Sequence, residues 1–321
     1  MELDSRIFIA GHRGLVGSAI TKNLQNKGYG NLILKSRSEL DLLDFTALES
    51  MFQSLKPEYI FLCAAKVGGI VANNTYRADF IYENLMIQNH IISLAYKYGV
   101  KKLLFLGSSC IYPKNAPQPM QEDCLLTSPL EYTNEPYAIA KIAGMKMCEA
   151  FNLQYKTNFV SVMPTNLYGE NDNFDLETSH VLPALIRKFH EAKMQGKKEV
   201  VIWGSGNPRR EFLYSEDMAE ACVYVMQNID FCDLIQGKQE IRNTHLNLGF
   251  GSDISIRELA LLIQEIIGFK GELIFDSSKP DGTFQKLMDS SKLFSLGWKP
   301  KVQLAEGINK TYKWYLQNEA E

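Results

Sequence analysis

The 321 residues contain no C-x-x-C pair, no apolar run of membrane length and no marked excess of one charge. The six cysteines (Cys63, Cys110, Cys124, Cys148, Cys222 and Cys232) are scattered. That spacing suits neither a zinc site nor a disulfide framework, so no metal is expected, and most of the thiols read as small buried apolar groups in a reducing compartment. No stretch approaches the roughly 18–20 apolar residues of a bilayer span. The opening MELDSRIFIAGHRG places acidic residues before a short apolar run, unlike a secretory leader, and a cytoplasmic protein is expected. Lys plus Arg total 34 against 37 Asp plus Glu, a net charge of -3. Such a balance supplies no field for nucleic acid or an anionic membrane. Any nucleotide must be held by a local site.

Through the first half, strand-length apolar runs alternate with longer helical patterns. Residues 6–10, 31–34, 59–63, 102–106 and 158–163 read as buried strands, with helices near 16–27, 45–55, 78–98 and 137–155 between them. This is the pattern of an α/β protein with a Rossmann-type, doubly wound parallel sheet covered on both faces. After about residue 167 the alternation loosens into a helix near 180–194, a strand at 199–203, a helix near 216–228 and a strand near 244–248. The expected division is a nucleotide-binding domain over 1–167 with a return segment at about 211–248. A smaller α+β substrate domain takes 168–210 and 249–321.

Directly after the first strand stand Gly11, His12, Arg13, Gly14, Leu15, Val16 and Gly17. A turn poor in side chains lets backbone amides approach a pyrophosphate, and the helix that opens there adds partial positive charge. The spacing is GxxGxxG, not GxGxxG. Sites for NAD usually end the second strand with an acidic residue for the ribose. Here that end reads Lys35-Ser36-Arg37-Ser38, and Arg37 with Arg13 can pair with a 2′-phosphate, so NADP(H) is the expected cofactor. Asp41, on the next turn, is placed to accept from the adenine.

Tyr137 and Lys141 are four residues apart, which puts them on one helical face. An ammonium beside a phenol lowers its pKa and makes it a usable acid and base. Ser108 and Ser109 follow the fourth strand, where ligands bind in such sheets, and a hydroxyl there can polarise a carbonyl.

GxxGxxG, a strand-end serine and YxxxK together resemble the extended short-chain dehydrogenase/reductase family, whose members act largely on nucleotide sugars. Finer strings, among them AGHRGLVGSAI, AAKVGGIVANNTYRADFIYEN, LFLGSSCIYPK, NEPYAIAKIAG, SVMPTNLYG, WGSGNPRREFL and FDSSKPDGT, span nearly the whole chain. They are similar to the branch that epimerises GDP-4-keto-6-deoxy-D-mannose at C3 and C5 and reduces C4 with NADPH. The resemblance implies that Tyr137 protonates the C4 oxygen, Lys141 binds the nicotinamide ribose and Ser108 polarises the carbonyl. It further implies that Cys110 is the epimerising base and His180 the partnering acid. From spacing alone those two read as a buried thiol and a helix-start residue.

The resemblance also extends the cofactor cradle to Ser38, Leu42, Ala64, Ala65, Leu106, Gly107, Pro164, Asn166, Leu167 and His180, with Lys66 facing the substrate. Lys188, Trp203, Arg210, Asp281 and Lys286 would hold the GDP end. Two departures stand out: Arg187 is followed by Lys188 where the family has a second arginine, and GTFQK replaces GTPRK. Members commonly dimerise through a four-helix bundle, so a homodimer is expected, with apolar stripes at Ile81, Leu85, Ile92 and Ala95 and at Ile142, Met145 and Phe151. A dehydratase would carry an acid pair after the strand-end serine, where this chain has Ser109-Cys110. A non-catalytic NADP sensor would lose the tyrosine–lysine pair.

Overall fold

In the computed structural model, residues 1–319 are described, apart from 177 and 280. Apolar runs bounded by turns form β1 (Ile7–Ala10), β2 (Leu32–Ile33), β3 (Tyr59–Leu62), β4 (Lys102–Leu106) and β5 (Phe159–Pro164). Between them run α1 (Leu15–Asn26), α2 (Phe45–Leu55), a short α3 (Ile70–Thr75), α4 (Arg77–Lys97) and α5 (Glu135–Tyr155). The chain continues with β6 (Asn166–Tyr168), α6 (Val181–Met194), β7 (Glu199–Trp203), β8 (Arg209–Tyr214), α7 (Ser215–Asn228), α8 (Phe231–Ile235) and β9 (Leu246–Leu248). It ends with β10 (Asp253–Ser255), α9 (Ile256–Ile267), β11 (Glu272–Asp276), β12 (Gln285–Lys286), α10 (Ser291–Ser295) and α11 (Leu304–Asn318).

Six parallel strands form the main sheet in the order β2-β1-β3-β4-β5-β9. Strand side chains alternate between faces, so β1 sends Ile7 and Ile9 to one core and Phe8 and Ala10 to the other. Helices α1 and α7 cover the first face, and α2, α4 and α5 the second. The edge strand β2 is two residues long and half-buried, shorter than the run 31–34 suggests. A second sheet joins β10, β8 and β12, with β6 also paired to β8, and β7 pairs with β11. A third core, from Tyr168 to Tyr315, fills the space under α6, α9 and α11. None of the described helices is long and apolar enough to cross a membrane.

The expected dimer stripes divide on inspection. Ile92, Ala95, Ile142 and Met145 pack inward against the sheet, Phe151 is only partly buried against the same core, and Ile81 and Leu85 are half-buried. The outward stripe follows a seven-residue spacing instead: Tyr82, Asn89 and Tyr96 on α4, Ile139 and Leu153 on α5, with half-buried Lys146 between the last two.

Candidate active site

The parallel pairing brings the carboxyl ends of β1, β3, β4 and β5 to one edge of the sheet, where the glycine turn follows β1. Gly11 has φ +86°, a conformation that disfavours any side chain, and a Cβ there would lie 2.8 Å from the Ala64 nitrogen. A Cβ on Gly17 would lie 2.1 Å from the Gly11 carbonyl oxygen, so only glycine lets α1 start this close to β1. Other helices are capped by side chains, Asp44 for α2 and a Ser255–Glu258 capping box for α9. Helix α1 begins at Gly14 with no side-chain cap and no acidic residue in its first turn. Its first amides are left for an anion.

Beside this turn His12 has a buried Nδ1 with no partner among the described residues, and burial foremost, then Arg13, lowers its pKa. Glu39 is the carboxylate nearest the end of β2, but Ser36 occupies it, with the backbone N–H at 2.8 Å and the hydroxyl at 2.6 Å. It is thus turned away from a ribose, while Arg13 and Arg37 stand exposed. Ser38 Oγ lies 3.1 Å from Ser36 Oγ. Asp41 Oδ1 accepts from Leu43 N–H at 3.0 Å, which leaves its second oxygen for a ligand, and the Leu42 carbonyl lies 3.1 Å from His90 Nδ1. Uncapped helix, glycine cradle, His12 nitrogen and exposed arginines all fit a dinucleotide with a 2′-phosphate.

Lys141 is buried, and its Nζ donates to the Leu106 carbonyl at 2.8 Å. The ammonium lies 5.0 Å from the centre of the Phe105 ring and 5.7 Å from that of Tyr137. Burial pulls its pKa down to about 8. The Ser108 side chain lies near the Tyr137 phenol and pulls its pKa down. The phenol's pKa is nonetheless raised, by burial first and by Cys110 second. This reverses the lowering expected from a neighbouring lysine, because loss of water outweighs a charge that is itself turned toward Leu106. Tyr137 keeps its proton, the state a proton donor needs.

Cys110 sits on a short 3-10 turn, Ser109–Ile111, whose first residue is preceded by Ser108; the Cys110 N–H reaches Ser108 Oγ at 3.3 Å. The thiol is buried and its pKa raised by that burial, while the Ser108 hydrogen bond, Lys286 and Lys141 pull it back. Gly107 presses on Met163, and Pro164 lines β5. Asn166 Nδ2 donates to the Glu211 carbonyl at 2.8 Å, and Leu167 packs on the core beneath α1 and α7.

His180 opens α6, with its side chain exposed, yet it is flanked by enough protein to lower its pKa. Its segment meets the loop after β3, where Gly69 N–H donates to the Thr178 carbonyl at 3.1 Å. Among the described residues its imidazole makes no hydrogen bond to Ser108, Cys110, Tyr137 or Lys141. Ala64 and Ala65 begin the same loop. The Lys66 ammonium is held by Glu83 at 2.5 Å and Asp79 at 3.4 Å, and Asn84 clasps its backbone on both sides at 3.0 Å.

At the far end Trp203 is 63% exposed, with Lys188 Nζ at 5.4 Å and Lys279 Nζ at 5.6 Å from the ring centre. Arg187 is tied to Glu191 at 2.7 Å, so of the Arg187–Lys188 pair only the lysine reaches this surface. Arg210 is half-buried and pairs in register with Lys286 across β8 and β12, a cationic patch whose members both have pKa values lowered by burial. Both oxygens of Asp281 already hold Ser205, from N–H at 2.9 Å and Oγ at 2.6 Å. A ribose hydroxyl would use its remaining lone pairs.

Sequence reasoning missed Glu211, a fully buried carboxylate that accepts from Gly251 N–H at 2.7 Å and Met288 N–H at 3.1 Å. Its carboxylate ties Met288, just after β12, to β8 and its backbone carbonyl takes Asn166; its place beside Arg210 in RREFLY was the available signal.

The family model described as "NAD dependent epimerase/dehydratase family" matches residues 7–236. GDP-L-fucose synthase 1 of Arabidopsis thaliana is 59% identical, the match covering 98% of this chain and 94% of that protein. GDP-L-fucose synthase of Escherichia coli (strain K12) is 54% identical over 98% and 97% respectively. A solved GDP-mannoheptose C4 reductase from Campylobacter jejuni with NADP bound is 48% identical, with TM-score 0.91 over 98% of this chain and 99% of that one.

Proposed function

The chain belongs to the NAD dependent epimerase/dehydratase family, and from that premise we propose that it converts GDP-4-keto-6-deoxy-D-mannose to GDP-L-fucose. The reaction inverts C3 and C5 and then reduces C4, with NADPH as cofactor. The observation that carries this reading is the convergence of Ser108, Tyr137, a buried Lys141 and the Cys110 thiol at the end of β4.

When bound, NADPH supplies hydride to C4. Ser108 and Tyr137 donate hydrogen bonds to the C4 oxygen. The same contacts stabilise the enolate formed when a proton leaves C3 or C5, since charge collects on that oxygen both times. Tyr137 gives its proton to the alkoxide, and Lys141 steadies the ribose and the phenol. Cys110, as thiolate, takes the proton at C3 and C5, helped by Lys286 and Lys141, and His180 returns one from the other face. Leu15 to Gly17 amides hold the pyrophosphate, Arg13 and Arg37 the 2′-phosphate. Trp203, Lys188, Arg210, Asp281 and Lys286 receive the GDP end. A homodimer through α4 and α5 and a cytoplasmic location complete the reading.

A second reading, C4 reduction without epimerisation, is favoured by burial of the Cys110 thiol and by the likeness to a C4 reductase. One experiment separates them. In D2O, wild type with NADPH and the keto sugar is expected to place deuterium at C3 and C5 and to oxidise NADPH. Cys110→Ser is expected to lose deuterium incorporation at least 100-fold while still reducing the already epimerised sugar. NADPH oxidation by wild type with no deuterium at C3 or C5 overturns the first reading for the second.

A further inference from the structure

Tyr112, His245 and Asn247 form a buried polar network that none of these steps uses; they are 2%, 0% and 0% exposed. Tyr112 closes the turn that carries Cys110. Its hydroxyl oxygen lies 2.9 Å from His245 Nε2 and 2.5 Å from Asn247 Oδ1.

Counting donors places every proton. Asn247 Nδ2 donates to the Met120 carbonyl at 2.9 Å and to the Asp289 carbonyl at 3.1 Å, so its Oδ1 faces the phenol as an acceptor. The single phenol hydrogen therefore goes to Asn247. His245 Nε2 must then carry a hydrogen and donate it to the phenol oxygen. Nδ1 is left bare, and it is buried with no partner among the described residues. A proton there would find no acceptor. Burial, with Lys292, Lys146 and Lys238 adding, holds the imidazole down to about 3. The network is thus neutral, in one tautomer, across the working range of pH.

Both ends of the catalytic turn are consequently fixed. At its entry Ser108 Oγ accepts from Cys110 N–H at 3.3 Å; at its exit Tyr112 is tied to β9, which itself takes Glu122 through Asn247 N–H at 3.1 Å. We propose that Tyr112, held by His245 and Asn247, is a positioning residue that sets where the Cys110 thiol stands. The proposal rests on the reading of Cys110 as the epimerising base. Removing the phenol hydroxyl would leave two buried polar groups unpaired and free the exit of the turn.

The test compares deuterium incorporation at C3 and C5 with NADPH oxidation on the already epimerised sugar, in the full-length enzyme. For Tyr112→Phe the expected result is a fall of about tenfold or more in incorporation, with reduction and the KM for NADPH changed less than about threefold. His245→Gln keeps an N–H donor toward the phenol and is expected to stay near wild type, whereas His245→Leu follows Tyr112→Phe. An equal fall of both activities in Tyr112→Phe, or no fall, overturns the proposal. If Tyr112→Phe does not fold, the His245 pair decides alone: equal incorporation in His245→Gln and His245→Leu overturns it. Alkylation of Cys110 by iodoacetamide, read against Cys110→Ser, needs no substrate. A changed alkylation rate in Tyr112→Phe sustains the positioning role even where wild type exchanges no proton, and an unchanged rate there overturns it.

Discussion

An ammonium cut off from water holds its proton weakly, and Lys141 is in that position at about 8. It is charged at pH 7 and loses its charge as pH rises through 8. The kcat/KM for NADPH reports the free enzyme, so it is expected to fall about tenfold per pH unit above that point if the ribose needs the charge. Lys141→Arg shifts the fall to higher pH, and a pH–rate profile checks both. The i, i+4 spacing of Tyr137 and Lys141 was legible in the sequence, as was the serine at the end of β4. The sign of the Tyr137 shift was not. It depends on how much water the fold removes and on where Lys141 turns, neither of which spacing records. The pairing of Lys66 was not legible either: two carboxylates on α4, thirteen and seventeen residues further on, hold its charge.

Among the elements, the glycine turn with α1 bears most directly on cofactor binding. A Cβ at position 17 meets the Gly11 carbonyl at 2.1 Å, so Gly17→Ala must push α1 off β1. The expected cost is about 1–3 kcal/mol of stability and at least a tenfold loss of NADPH affinity, read by thermal unfolding and by titration of NADPH fluorescence. Helix bounds read from apolar periodicity match the structure to within two residues throughout the first half, because those helices bury one face on a sheet. Edge strand β2 was overestimated, since an apolar run at a sheet edge has one partner and pairs over only two residues. The Tyr112–His245 contact joins residues 133 apart in sequence, and no local pattern marks such a pair.

For the whole molecule, the proposed dimer makes a prediction the inward-facing stripes do not. Tyr96 and Leu153 are 42% and 38% exposed on α4 and α5. Replacing both with glutamate is expected to convert the dimer to monomer in sedimentation, while Ile92→Val, on the inner face, leaves assembly unchanged and costs only about 0.5–1.5 kcal/mol of stability.

The return of the chain to the main sheet has a further meaning for how the protein is made. β5 ends at Pro164, yet its neighbour β9 begins at Leu246, and the Glu211 carboxylate is not satisfied until Met288 is in place. A ribosome that has released the first 170 residues has therefore made five strands of a six-strand sheet, with one long edge still bare. The main sheet stays open along β5 until residues 246–248 have emerged. Division of the gene at the apparent domain border would give two fragments, each missing what the other completes.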